Sequence, residues 1–397
     1  MTTRRIKNVL TWCIKLMPLI FPLYFLDFQI YGVPFTAVEV LVYIVFAGFI
    51  LSGMLPRKIA RDKATILIAL FFFAAVVSTI IVPATFYDIT GTFVDSQRTA
   101  LGVLKGWVFM PILYFFMAWS VIRDDKDRKH MIVAFAWSAI WLSIWGLLSW
   151  TEDFRARAFY ESANYLALYL GPVCVFFGIG FLESIKSKLL AQNALFLFPG
   201  ILVFAAMFAT KSYAGVIAVA AGISFYLMLS KNFTRKFKFA FAGLVILLCS
   251  FFALSQISTE KGKEFLEFDD RSSSSARIQI WHASYEMITQ SPLLGVGLGQ
   301  YQLNYQWKMT YLYDLNTYEW LIPHPHNFLM GIWLNFGLLG VITMLGIVIL
   351  AFSRTKGHMK LVLAAMLFSV LVHGLFDMPF MKNDLAMEFW LIIALLL

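Results

Sequence analysis

Apolar runs of about twenty residues recur along this chain, separated by short breaks that carry charge. No other feature constrains the fold so strongly. A helix needs roughly 20 apolar residues to cross the hydrocarbon of a bilayer. Composition agrees, with 60% of residues hydrophobic and 14% charged, where soluble domains carry roughly a quarter charged. That is too much apolar surface for a single soluble core. The runs predict about 12 spans, over roughly 10–28, 34–54, 64–83, 98–120, 131–150, 162–183, 193–210, 213–230, 238–256, 327–351, 361–377 and 385–397. The expected fold is an all-α integral membrane protein.

The breaks orient it. RRIK, PRKIARDK, RDDKDRK, SIKSK, KNFTRKFK and SRTKGHMK alternate with breaks poorer in Lys and Arg. About 20 of the 32 basic residues fall on that one side, which the positive-inside rule makes cytoplasmic, with both termini inside. The net charge of +9 then reads as cytoplasmic anchoring rather than nucleic-acid binding. The basic N-terminus is signal-like, but no small-x-small site follows and Lys15 interrupts the apolar run, so a retained first span is expected. Cys13, Cys174 and Cys249 each sit inside an apolar run, so no disulfide framework is expected.

One break is long. Residues 257–325, about 70 in all, lie on the external side between spans nine and ten. This divides the chain into spans one to nine (1–256), a large external loop (257–325) and the last three spans (326–397). In SSARIQIWHASYEMITQSP, Ile278, Trp281, Tyr285 and Ile288 repeat at helical spacing. Pro292 and the glycines of PLLGVGLGQY then stop that helix. An ordered loop of this size usually carries function.

Positive charge is scarcer on the external face and so more informative. The residues are Arg98, Lys105, Arg155, Arg157, Lys211, Arg271, Arg277 and Lys308. Lys105 lies about two turns inside span four, where a cation needs a partner, a route to water or an anion to bind. Arg155 and Arg157 lie just outside span five and have Glu152, Asp153 and Glu161 nearby for local pairing. Lys211 occupies a tight turn between spans seven and eight, and Arg277 opens the loop helix. Helix starts and arginine forks suit phosphate oxygens. Cations from several loops on one face suggest an electropositive pocket at membrane level, with lipid phosphates as its natural ligand.

HPHNF, residues 324–328, places two of the six histidines at the start of span ten. Three readings stand. The pair caps a helix start by hydrogen bonding. Or H-x-H holds a metal, with Asp314, Glu319, His282 or Glu286 as a third ligand. Or one imidazole is a general base, suited to proton transfer near neutral pH. Weaker motifs point nowhere firm. GVGLG lacks the strand-turn-helix setting of a dinucleotide loop. Asp125-Lys126-Asp127 lies among cytoplasmic basic residues and reads as a solvated loop, and His373 and Glu388 read as packing or snorkelling groups.

Taken in order, TKSYAGVIA, an external loop holding R-x-x-x-W and SPLLGVGLGQY, and then HNFLMGIWLNFGLLG resemble the O-antigen ligase and polymerase superfamily of bacterial membrane glycosyltransferases. RARAFYESANYLALYL resembles the segment that family carries before span six. The likeness covers roughly residues 150–350, and among members it is nearest the lipid A–core O-antigen ligases. It implies a bundle of about a dozen spans with one large periplasmic loop. It implies a metal-free and cofactor-free enzyme of the bacterial inner membrane, with its active site facing the periplasm. The donor would be a glycan on undecaprenyl diphosphate and the acceptor a sugar of the lipid A core. The family's catalytic histidine falls on His326 and its loop arginine on Arg277. Arg155, with Arg157 close by, matches the arginine before the Asn-x-Leu-Ala segment. Arg98, Lys105 and Lys211 complete the expected diphosphate site, and His324 and Asn327 are candidates for binding acceptor. Tyr213 stands where the family often has an arginine, so Lys211 is left to supply that charge. A polymerase or a protein O-oligosaccharyltransferase of the same superfamily remains open. From another class, a polysaccharide-lipid flippase does too, although it would place polar groups near the midplane rather than at the rim.

Overall fold

The structure is a computed structural model. It describes residues 2–397 except 31–32, 57–58, 60, 151–154, 188–189, 242, 244–246, 248–249, 251–272 and 314–318, and without the side chains of 2–3, 187, 190–196 and 273–274. The expected ninth span therefore lies largely outside the described residues. So do Cys249, Arg271, Glu152, Asp153 and Asp314.

Helices fall on the other expected ranges. In chain order they are α1 (Thr2–Leu16), α2 (Ala37–Leu51), α3 (Lys63–Ile80), α4 (Ser96–Val103), α5 (Met110–Val121), α6 (Asp125–Leu148), α7 (Ala163–Ser187), α8 (Leu190–Ala209), α9 (Tyr213–Leu229), α10 (Ser273–Gln290), α11 (Tyr301–Tyr313), α12 (Phe328–Ser353), α13 (His358–His373) and α14 (Asn383–Leu396). A 3-10 segment, Met17–Phe25, extends α1, and a π turn, Leu104–Phe109, joins α4 to α5. Two short hairpins, β1–β2 (Asp27–Ile30, Val33–Thr36) and β3–β4 (Phe86–Tyr87, Phe93–Val94), lie outside the bundle helices. By length and composition, six of the described helical segments can cross a membrane, and four shorter apolar helices accompany them.

Apolar side chains all round a helix demand partners on every side. That is the condition of α14, whose side chains from Asp384 to Leu396 are all buried. It runs through the middle of the bundle. Trp390 meets Phe71, Phe115 and Phe380 there with ring centroids 5.4–6.4 Å apart. Arg354 at the end of α12 forks onto Asp62, the N-cap of α3, at 2.8 and 2.9 Å. Asp127 takes the ammonium of Lys15 at 2.5 Å, and Asp125 takes Arg128 at 3.2 Å. The D-x-D pattern is thus spent on ion pairs in the first turn of α6.

α12 is broken. Gly337 sits at φ 67°, ψ −172°, so the helix kinks there. A kink frees backbone groups that hydrocarbon cannot satisfy. The segment after α10 supplies their partners. Leu338 N–H donates to Leu293 O (3.0 Å), Val296 N–H donates to Leu334 O (2.8 Å), and Gly299 N–H donates to Asn335 Oδ1 (2.9 Å). A Cβ on Gly337 would lie 2.2 Å from Leu293 O, and one on Gly295 would lie 2.3 Å from Leu334 O. Gly295 of PLLGVGLG therefore serves close backbone docking into the kink.

α10 forms where the spacing predicts, and of the four periodic residues Ile288 and Trp281 join its packed face while Ile278 and Tyr285 do not. Ala276, Ile280, Ala283, Met287 and Ile288 face inward, while Ile278 and Tyr285 are exposed. The small residues allow α11 to approach closely, and Tyr301, Tyr305 and Met309 fill the second cluster against them. Large aromatics at helical spacing were the stronger sequence signal, but the tight packing selects the alanines. Leu334 of α12 packs into the same cluster, and the Trp281 indole bonds Pro325 O. This small unit thereby fixes the residues that lead into α12.

Candidate functional site

The site begins at the first turn of α12. Asn327 caps it, its Oδ1 accepting the Met330 N–H at 3.1 Å. Immediately before the cap, His326 holds φ at 49°. This is left-handed backbone, which costs an L-residue roughly 1–2 kcal/mol. Four hydrogen bonds hold the segment in this shape. His326 N–H donates to His324 Nδ1 (3.3 Å), and the Trp281 indole of α10 donates to Pro325 O (3.0 Å). Phe328 N–H donates to Gly374 O (2.7 Å), and Asn327 Nδ2 donates to Leu375 O (3.2 Å). HPHNF is thus gripped between the loop helix and the turn after α13.

That turn delivers Asp377, which is 2% exposed. Its Oδ1 accepts Met378 N–H at 2.8 Å and lies 3.3 Å from His326 Nδ1 and 3.8 Å from His324 Nε2. Burial alone would raise the carboxyl pKa. The hydrogen bond from His326 and the surrounding histidines outweigh burial and hold it well below the usual carboxylate range. An ionised Asp377 accepts a hydrogen bond from His326 Nδ1–H, so the His326 lone pair sits on Nε2. Nε2 has no hydrogen-bond partner among the described residues, and the side chain is 21% exposed.

His324 is arranged the other way. Its side chain is 5% exposed, and burial, with His326 adding to it, pushes its pKa down to about 4. It is a neutral imidazole at pH 7. Nδ1 accepts from the His326 backbone, so the proton is on Nε2, beside the Tyr165 hydroxyl at 3.0 Å. One histidine is a clamp and the other is poised for proton transfer.

Two arginines stand next to this pair. Arg155 Nε donates to Thr210 O (2.6 Å), and its NηH2 group donates to Asn164 Oδ1 (2.7 Å). Ala156 N–H donates to Ala209 O (2.9 Å), tying the same segment to the α8–α9 turn. Burial lowers the Arg155 pKa, and Asp377 opposes that drop while Arg277 adds to it. Arg277, half-buried on α10, also lies within electrostatic reach of His373. Arg155, Arg277, Asp377 and the two histidines therefore occupy one region, although they come from four separated parts of the chain. Lys211 is exposed, at φ 50°, in the turn whose Thr210 anchors Arg155.

Other expected members lie apart. Lys105 sits in the π turn and pairs with Glu39 at 2.9 Å, donates to Pro34 O, and stands 3.9 Å over the Phe35 ring. Glu39 is 2% exposed and also completes the capping box of α2 with Thr36. The charge of Lys105 is thus committed to a buried carboxylate. Arg157 is exposed and makes no side-chain hydrogen bond or ion pair to the histidine cluster among the described residues. Arg98 is exposed on the first turn of α4, its backbone N–H capped by Asp95 (2.9 Å). Asn327 spends its side chain on the helix cap and on Leu375.

The metal reading gains a third ligand that the sequence did not nominate. Donor atoms of His324, His326 and Asp377 all lie within 4.8 Å of one another. His282 instead bonds Tyr313 Oη at 2.6 Å, and Glu319 is exposed. The donor chemistry fits an ion poorly. A metal on His324 Nε2 would force its proton to Nδ1, where it would confront the His326 N–H.

Residues 198–345 match the family model described as O-antigen ligase. Over this stretch the chain is similar to the O-antigen ligase family. The matched stretch runs from α8 into α12 and includes Lys211, Arg277, His324 and His326. Arg155 and Asp377 lie outside it, and the fold brings both against it. No curated protein matches the chain. The match and the membrane-length apolar helices together support a multi-pass membrane protein similar to this family.

Proposed function

We propose that this protein is an inverting, metal-independent glycosyltransferase. It moves an O-antigen glycan from undecaprenyl diphosphate to a sugar of the lipid A core, at the periplasmic side of the bacterial inner membrane. The observation that carries the reading is the His326–Asp377 contact at 3.3 Å, which leaves Nε2 as the base nitrogen. A sugar hydroxyl is a weak nucleophile until a base takes its proton. His326 Nε2 takes that proton as the acceptor oxygen bonds to the anomeric carbon. The bond from that carbon to the diphosphate oxygen breaks, and the electron pair leaves with the diphosphate. Asp377 fixes the ring and stabilises the imidazolium that forms, as a carboxylate does behind a catalytic histidine.

Arg155 and Arg277 stabilise the charge growing on the leaving diphosphate. Lys211 stands at the turn beside Arg155 and can extend that field. Lys105 is left out of this field, because its charge is paired with Glu39. Attack from the face opposite the diphosphate inverts the anomeric centre. A flippase reading would use broken α12 as a substrate site. Against it, Leu338 N–H, Leu334 O and Asn335 O beside the kink are taken up by Leu293 O, Val296 N–H and the Ser78 hydroxyl.

The test is reconstituted transfer with a lipid-linked glycan and lipid A–core. His326→Ala should abolish transfer while carrier binding persists. Near-normal turnover by that variant removes His326 as the base. Elongation of the lipid-linked glycan in place of lipid A–core would make the enzyme a polymerase.

A further inference from the structure

Lys382 precedes α14, five residues beyond Asp377. Its ammonium lies 4.7 Å from the Tyr165 ring centroid, 5.2 Å from Tyr24 and 6.0 Å from Tyr160. Three tyrosines from the 3-10 segment, the loop before α7 and α7 itself thus wall one cation. Ring faces attract the charge but offer nothing to its three N–H donors. Among the described residues the ammonium has no hydrogen-bond acceptor and no ion pair. Asp384 is its nearest carboxylate in sequence, but that group is buried and takes the Tyr160 hydroxyl. Glu161, exposed at the rim, reaches Tyr24 and Tyr165 electrostatically.

This box is joined to the site. Tyr165 gives one face to Lys382, and its hydroxyl oxygen accepts from His324 Nε2 at 3.0 Å. The surroundings of Lys382 differ from those of the arginines. Arg155 and Arg277 act on Asp377 and His373, whereas Lys382 acts on His324 and Asp384. Under the glycosyl-transfer reading, on which this inference rests, the arginine flank takes the donor diphosphate. A half-buried cation joined to the site through Tyr165 and His324, with aromatic walls suited to sugar C–H faces, then belongs to the second substrate.

We propose that Lys382, in its tyrosine box, binds an acidic group, a phosphate or a carboxylate, carried by the acceptor glycan. It is a binding residue and takes no part in proton transfer.

The experiment measures transfer at varied acceptor and varied donor, using lipid A–core that is intact, phosphatase-treated or carboxyl-esterified. Lys382→Met should raise the acceptor KM about tenfold or more, the scale of one lost charge-assisted hydrogen bond. Donor KM and kcat should stay within about twofold. Lys382→Arg should keep most of the affinity. The acceptor treatment that abolishes the difference between wild type and Lys382→Met names the acidic group. An unchanged acceptor KM, a rise in donor KM instead, or an equal fall in kcat for both variants would overturn the proposal. Direct binding of intact lipid A–core to nanodisc-embedded protein supplies a readout without turnover. If wild type binds that lipid through Lys382 but transfers nothing, the transferase reading fails and the acidic-group site stands. If binding is indifferent to Lys382, the site falls whatever the turnover.

Discussion

Replacing His324 by alanine separates a clamp from a catalyst. The change deletes the acceptor that holds the His326 N–H at 3.3 Å and leaves φ 49° without its local support. Left-handed backbone costs about 1–2 kcal/mol, and a hydrogen bond contributes about 0.5–1.5 kcal/mol net. The three other bonds on the segment remain, so the loss is that one bond's contribution. Since about 1.4 kcal/mol is tenfold, the competent conformer should fall roughly two- to twelvefold. The prediction is a fall in kcat of that size at saturating substrates, with donor KM little changed. His326→Ala should cost far more, on the scale of about 10²–10⁴ for a general base. Asparagine is the control, because its Oδ1 stands near the place of the histidine Nδ1 and accepts the same N–H. His324→Asn should recover to within about threefold of wild type. The reasoning fails if His324→Ala is as inactive as His326→Ala, if it loses nothing, or if asparagine rescues no better than alanine.

Asp377→Asn should lower transfer by about 10²–10⁴ with carrier binding retained, because an amide can hold His326 in the wrong tautomer; a full-rate variant would dissociate the carboxylate from the base. Lys105→Met should lower the unfolding temperature by stranding buried Glu39, and Glu39→Gln added to it should restore part of the loss; a normal unfolding temperature for the single variant would show that the pair does not hold the fold. Acid should destabilise the protein through His324. Its folded pKa of about 4 lies below the unfolded value, so the unfolded state binds more protons as pH falls from about 6.5 toward 4. That contribution is intact above about pH 6.5 and is lost across the window, up to about 3 kcal/mol. The melting temperature of His324→Asn should vary less with pH over the same range.

Much of this protein is local in its sequence. Apolar runs of span length place the helices, because crossing hydrocarbon depends on length and hydropathy and little else. HPHNF marked the start of α12, and the loop arginine and the arginine before α7 could be picked out as scarce external cations. Tertiary structure decided the partners. Asp377 stands 51 residues from His326 and carries no signature, since a carboxylate in a short turn between apolar helices looks like a loop residue until the fold puts it against an imidazole. The same holds for Lys105, a free cation in the sequence and half of a buried pair in the fold. GVGLG read as a turn, and only the kink at Gly337 shows why glycine is required there. The two histidines are nearly equivalent as neighbours in a motif. Their different hydrogen bonds, one to a backbone N–H and the other to a carboxylate, give them different protons and so different work. Periodicity and hydropathy are properties of one segment. The pairing of charges and the tautomer of a ring depend on which segments the bundle packs together.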